Sequence, residues 1–236
     1  KRASPVRIKA GHIRESVKDI KRSYSYWRET TPEEVFEALR ISREVEQTTK
    51  EVDILDKVMR KLWEEVLSKR FRKARKPSSF LLNYRLFLIQ NALLDATGHL
   101  TAIGRHTLLL GERFGKESEL FKEIITYVLL KYGGHYSLLS KIYEEQKAMG
   151  DEYFTSWAEW ANEIERRLRE QNYYISKDDF RVDLPRLLFA YDRYFCGIAE
   201  RQFMEGRGIL INFPKIVEIL DKGSRMFSII ESTLSF

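Results

Sequence analysis

Cysteine is nearly absent from this chain: of 236 residues only Cys196 carries a thiol. That excludes an intramolecular disulfide framework and fits a reducing, cytoplasmic setting. Proline and glycine are sparse as well, at 5 and 12 residues, which argues against a turn-rich all-β fold and for helices. No apolar run approaches the roughly 20 residues of a membrane span, and no secretory apolar stretch lies near the start, so no membrane association is expected. Gly104, Gly111 and Gly115 are too scattered for a phosphate-cradling or dinucleotide loop. The 4 histidines show no metal-ligand spacing and have no second cysteine to help them. They read as surface or capping residues, and neither a metal nor a cofactor is expected. Beginning at Lys1 rather than Met, the sequence reads as a processed product or a piece of a longer parent chain, in which a catalytic domain would be invisible.

Positive charge is what the chain has in excess, and it is concentrated. Lys69, Arg70, Arg72, Lys73, Arg75 and Lys76 place six cations in eight residues, directly before an apolar segment. Residues 1–28 add nine cations against Glu15 and Asp19 alone. The two stretches carry +6 and +7 in a chain whose total is +6, so the other 200 residues sum to −7. A net-acidic body with two basic stretches is the pattern expected when particular surfaces meet a polyanion. A helix end alone accounts for one or two of the cations in 69–76 through the dipole; six with Phe71 among them suit phosphate contacts.

Periodicity gives a helical layout. Residues 1–12 read as a basic arm, followed by a helix over 13–27. Thr31-Pro32-Glu33-Glu34 is a start signal, with Thr31 as N-cap, Pro32 in the first turn and Glu34 as the return half of a capping box. Val35, Phe36 and Leu39 continue it. A second stripe runs through Val52, Leu55, Val58, Met59, Leu62, Trp63 and Val66, and the two helices are expected to pair as a hairpin. After Pro77, residues 81–94 are apolar nearly all round, as are 120–132 and 138–149, which marks them as central. Phe154, Trp157, Ala158, Ala161, Ile164 and Leu168 form an amphipathic stripe. Asp183-Leu184-Pro185 opens another helix. Two β-capable runs, 198–204 and 209–213, flank Glu205-Gly206-Arg207-Gly208 and predict a hairpin. Pro214 closes it, and a last short helix is expected from Ile216 to Leu220. Three segments follow: 1–76, basic arm and helical hairpin; 77–150, helical core; 151–236, the C-terminal module.

Catalytic patterns are weak. Glu145-Gln146-Lys147, with Asp151 or Asp178, satisfies the composition of a metal-dependent nuclease core, yet Glu145 falls in a helical stretch and reads as a solvated face. Cys196 reads as packed. The tryptophans fall on apolar stripes and read as core; Tyr24, Tyr26, Tyr173 and Tyr174 are the aromatics placed to stack bases.

The helix from Leu184 followed by the hairpin to Phe213 resembles the end of a winged-helix domain, and Leu100-Thr101-Ala102-Ile103-Gly104 is similar, more faintly, to a second wing strand entering a helix. The resemblance implies a helix in the DNA major groove carrying Arg186, Asp192 and Arg193, with Arg201 and Arg207 on the wing. The expected protein is thus mainly α, a helical bundle with one or two winged-helix-like modules and a short β-hairpin. Its expected function is non-enzymatic recognition of duplex DNA, with RNA as the alternative nucleic acid. Lys69, Arg70, Arg72, Lys73, Arg75 and Lys76 would contact phosphates; Arg186, Arg193, Arg201 and Arg207 would read the groove. The competing reading is a helical adaptor or assembly subunit that meets an acidic protein partner or RNA.

Overall fold

A computed structural model describes residues 24–25, 30–71, 77–150, 152, 154, 156–171, 191, 196–201 and 209–234. The basic arm, the helix expected over 13–27 (apart from Tyr24 and Ser25) and the helix expected from Asp183 lie outside them, Tyr191 excepted. The protein is mainly α-helical. The first described helix, α1 (Pro32–Thr48), begins at the capping box: the Glu34 amide donates to Thr31 Oγ1 at 3.3 Å, and the Thr31 amide donates to Glu34 Oε2 at 3.0 Å. Two otherwise orphaned amides are satisfied within four residues, and Pro32 has no amide to orphan.

Helix α2 (Leu55–Leu62) packs on α1 and runs through a π-helical turn, Trp63–Leu67, into a last turn at Ser68–Arg70. The turn corrects the expected stripe. In unbroken α register the buried series would pass from Leu62 to Val66 and then Arg70, driving a guanidinium inward. One extra residue in the turn instead passes the series to Leu67, which is buried, and to Phe71, which packs against the core.

Helix α3 (Pro77–Gln90) ends four residues before the expected position 94. Ala92 takes a positive φ of 55°, and the amides of Leu93 and Leu94 both return to the Leu88 carbonyl, so the chain turns back although its residues stay apolar. Leu94 then bridges Leu100 in an antiparallel contact. Between them Asp95 Oδ1 accepts from the Thr97 amide at 2.8 Å, the Thr97 hydroxyl at 2.7 Å and the His99 amide at 3.0 Å. Thr101 caps α4 (Ala102–Phe114) by accepting from the Gly104 amide at 2.9 Å. A Cβ on Gly104 would sit 2.0 Å from the Leu93 carbonyl oxygen, so the Leu-Thr-x-x-Gly string encodes a cap and a close approach. Helix α4 is continuous through Gly104.

Helices α5 (Glu119–Lys131) and α6 (His135–Met149) are joined through Gly133 and Gly134, the latter in the left-handed region at φ 75°. Helix α7 (Trp157–Glu170) starts at the Ser156 cap and buries Trp160, Ile164 and Leu168. Strands β1 (Ala199–Arg201) and β2 (Ile209–Ile211) pair antiparallel, Ala199 opposite Ile211. Helix α8 (Phe213–Leu234) corrects the expected short helix: it has 22 residues, with Pro214 inside its first turn rather than before it. Its buried stripe is Ile216, Ile219, Gly223 and Phe227, laid against α5. One hydrophobic core runs from Tyr24 and Val35 through Phe121 and Leu139 to Trp160, Ile211 and Phe227.

Candidate nucleic-acid interface

The basic run starts where α2's extension ends. Lys69 is exposed and has no ion pair among the described residues. Arg70 does not fit the phosphate role expected of it. Its Nη1 donates to both carboxylate oxygens of Glu34, at 2.7 and 2.8 Å, and the Tyr84 hydroxyl donates to the same carboxylate at 2.5 Å. Glu34 is buried, so this carboxylate needs a partner, and Arg70 becomes a strut between α1 and the end of the π-turned helix. The Phe71 ring lies 4.5 Å from that of Phe80 on α3, so the residues flanking 72–76 are held against each other. Arg72, Lys73, Arg75 and Lys76 lie outside the described residues, as do Arg186, Arg193 and Arg207. The structure places Arg201 on β1, its backbone paired with Ile209.

Elsewhere the cations of the body are largely occupied by its acids. Arg40 meets Glu37 at 2.8 Å, Glu65 at 2.9 Å and Glu44 at 3.2 Å; Lys61 meets Glu44 at 2.7 Å, and Lys116 reaches Glu37 at 2.5 Å. Arg43 pairs with Glu112 and Arg85 with Asp56. On α7, hydrogen bonds from Arg166 and, after it, Arg167 hold the Glu163 carboxyl down at about 2 against the opposing effect of burial. Lys215 and Lys222 share Glu123. Arg60 and Lys50 join Lys69 as exposed cations with no ion pair among the described residues.

Glu145, the nuclease candidate, lies on α6, where it is buried, accepts from the Gln171 side chain and lies 3.8 Å from Arg167. It ties α6 to α7, which corrects its reading as a solvated face. Asp151 and Asp178 lie outside the described residues.

One polar cluster was not legible as such in the sequence. His135 has no exposed surface, correcting its reading as a surface or capping histidine. Its Nε2 lies 3.0 Å from the Ser25 carbonyl and 2.8 Å from Ser25 Oγ, while Nδ1 faces the Tyr191 hydroxyl. A carbonyl only accepts, so Nε2 carries the proton, and Nδ1 accepts from Tyr191. The Ser25 hydroxyl donates to Asn91 Oδ1 at 2.8 Å, and Asn91 Nδ2 donates to the Phe87 carbonyl at 2.8 Å. Burial pushes the His135 pKa down to about 4, with the Ser25 carbonyl pulling weakly the other way. Tyr24 lies edge-on to His135 and is buried, so the structure removes it from the residues placed to stack bases. His106 is buried too, edge-on to Phe227. The available signal for His135 was its setting: a Gly-Gly turn directly after a helix apolar nearly all round.

No family model matches the chain, and no curated protein sequence matches it. Among the described residues no helix is long and apolar enough to cross a membrane, and no group of His, Cys, Asp and Glu could hold a metal ion.

Proposed function

We propose that this chain is a non-enzymatic nucleic-acid-binding protein that engages duplex DNA through its two basic stretches, 1–28 and 69–76. The observation that carries the reading is the segregation of charge. Among the described residues most cations of the body are held in ion pairs, whereas the +7 and +6 surpluses sit in two short stretches. Surplus charge of that density attracts a polyanion whose condensed counterions are released on contact. Lys69, Arg72, Lys73, Arg75 and Lys76 are the proposed phosphate contacts of the second stretch; Arg70 holds the helix that delivers them. The β1–β2 pair, with Arg207 in its connection and Arg186 and Arg193 ahead of it, is the proposed winged-helix-like reader of the groove.

The test is the salt dependence of duplex binding between about 50 and 200 mM, for the wild type and for a variant with Lys69, Arg72, Lys73, Arg75 and Lys76 changed to Gln. At roughly 0.9 per phosphate contact, the slope of log K against log salt should shrink by up to about 4.5. An unchanged slope would remove residues 69–76 from the interface. Arg207→Ala should weaken binding at particular sequences more than at random duplex.

A further inference from the structure

Phe213, the first residue of α8, inserts its ring between two tyrosines of α6. It stacks on Tyr143 with centroids 5.0 Å apart and planes 12° from parallel, and it meets Tyr136 at 6.1 Å and 40°. Tyr136 and Tyr143 are two helical turns apart, roughly 10.5 Å along the axis, so Phe213 stacks on Tyr143 and meets Tyr136 at a tilt across the wider remaining gap. The Lys147 ammonium lies over the Tyr143 ring, 4.4 Å from its centroid. Phe213 already occupies one face of Tyr143, so Lys147 closes the other. Along α6 the order is therefore cation, Tyr143, Phe213, Tyr136.

Lys147 covers one end of the column, and the other end is Tyr136, whose ring is tilted to Phe213. Among the described residues no ring besides Phe213 lies against Tyr136, and 40% of that residue is exposed. Its place in the fold is fixed. The Ile211 amide of β2 donates to Gln146 of α6 at 3.3 Å, and the Asn212 amide donates to the Ile198 carbonyl at 3.0 Å. The strand pair, α6 and the start of α8 thus meet at the column, beside the hairpin whose connection carries Arg207.

We propose that the Tyr136 end is a stacking site for an unpaired nucleobase at the edge of the bound nucleic acid. This rests on the nucleic-acid reading above. A part-exposed aromatic ring on a helix, beside an existing aromatic contact, is suited to take a further planar ring. Every base offers one, so the site is indifferent to sequence and selects for strand opening or an overhang. Tyrosine adds a hydroxyl to the ring edge without disturbing the face.

The experiment compares the affinity of the full chain for a blunt duplex and for the same duplex bearing a four-nucleotide single-stranded overhang, with 2-aminopurine as the first unpaired base. The wild type should bind the overhang substrate about five- to tenfold more tightly, and the 2-aminopurine emission should be quenched on binding. Tyr136→Ala should lose that gain and the quenching while keeping blunt-duplex affinity and helical circular dichroism; Tyr136→Trp should keep both. Equal affinity of the wild type for the two substrates, without quenching, overturns the stacking site and leaves duplex binding standing. A Tyr136→Ala variant that retains the overhang gain also overturns it. Loss of all nucleic-acid binding by the wild type overturns both proposals. The quenching measurement on the wild type decides the matter if Tyr136→Ala does not fold.

Discussion

A histidine with no exposed surface stays neutral unless an anion is buried with it. Around His135 the hydrogen-bonding neighbours are two hydroxyls and a carbonyl, each matched to the neutral ring. The unfolded chain takes up a proton on this side chain below about pH 6.5, the folded protein only near 4. Stability supplied by the neutral ring is therefore complete above pH 6.5 and declines as pH falls from there to about 4, by roughly 3 kcal/mol. Urea unfolding across that range should show the decline in the wild type and a shallower one in His135→Gln; parallel curves would mean the ring is not held neutral. Arg70 teaches the complementary lesson. Its charge was plain in the sequence, but its partner Glu34 lies 36 residues away, and no local pattern names a pairing at that distance. Thr31 and Glu34, three residues apart, were readable for the opposite reason.

Whole elements were legible where their cause was local. The capping box at Thr31 and the all-round apolar character of α5 each predicted what formed. The element that misled was α8, because Pro214 and Gly223 both look like interruptions. Proline is harmless in a first turn, and Gly223 is present for contact: a Cβ there would lie 2.3 Å from Tyr127 Cγ. Gly223→Ala should thus destabilise the protein by roughly 1–3 kcal/mol through overpacking, despite the propensity gain of up to about 1 kcal/mol. Chemical denaturation measures it, and the loss should shrink in a Tyr127→Leu background. A stabilised Gly223→Ala would show that α5 and α8 do not approach so closely. The π turn after α2 has no comparable signature, since Val66 and Leu67 are equally apolar. The choice between them is made by what the helix meets further on, where Phe71 packs and Arg70 does not.

At the scale of the molecule, a single core threads all three sequence segments, while the charge surplus is set at 1–28 and 69–76. The α1–α2 unit is bound to the rest by more than covalent continuity: Arg43 pairs with Glu112, Lys116 with Glu37, and the Phe36 ring meets Phe121 edge-on at 5.9 Å. The contact of Phe71 with Phe80 adds a clasp at the ends of the cationic segment itself. The fold should therefore survive a cut between 72 and 76. A specific protease site placed there and cut under native conditions should give two fragments that still co-elute as one particle; fragments that part on a sizing column would show the clasp to be too weak. Lengthening, severing or exchanging residues 72–76 alone should therefore leave the two halves held together by their side chains, provided Arg70 and Phe71 are kept as part of the frame.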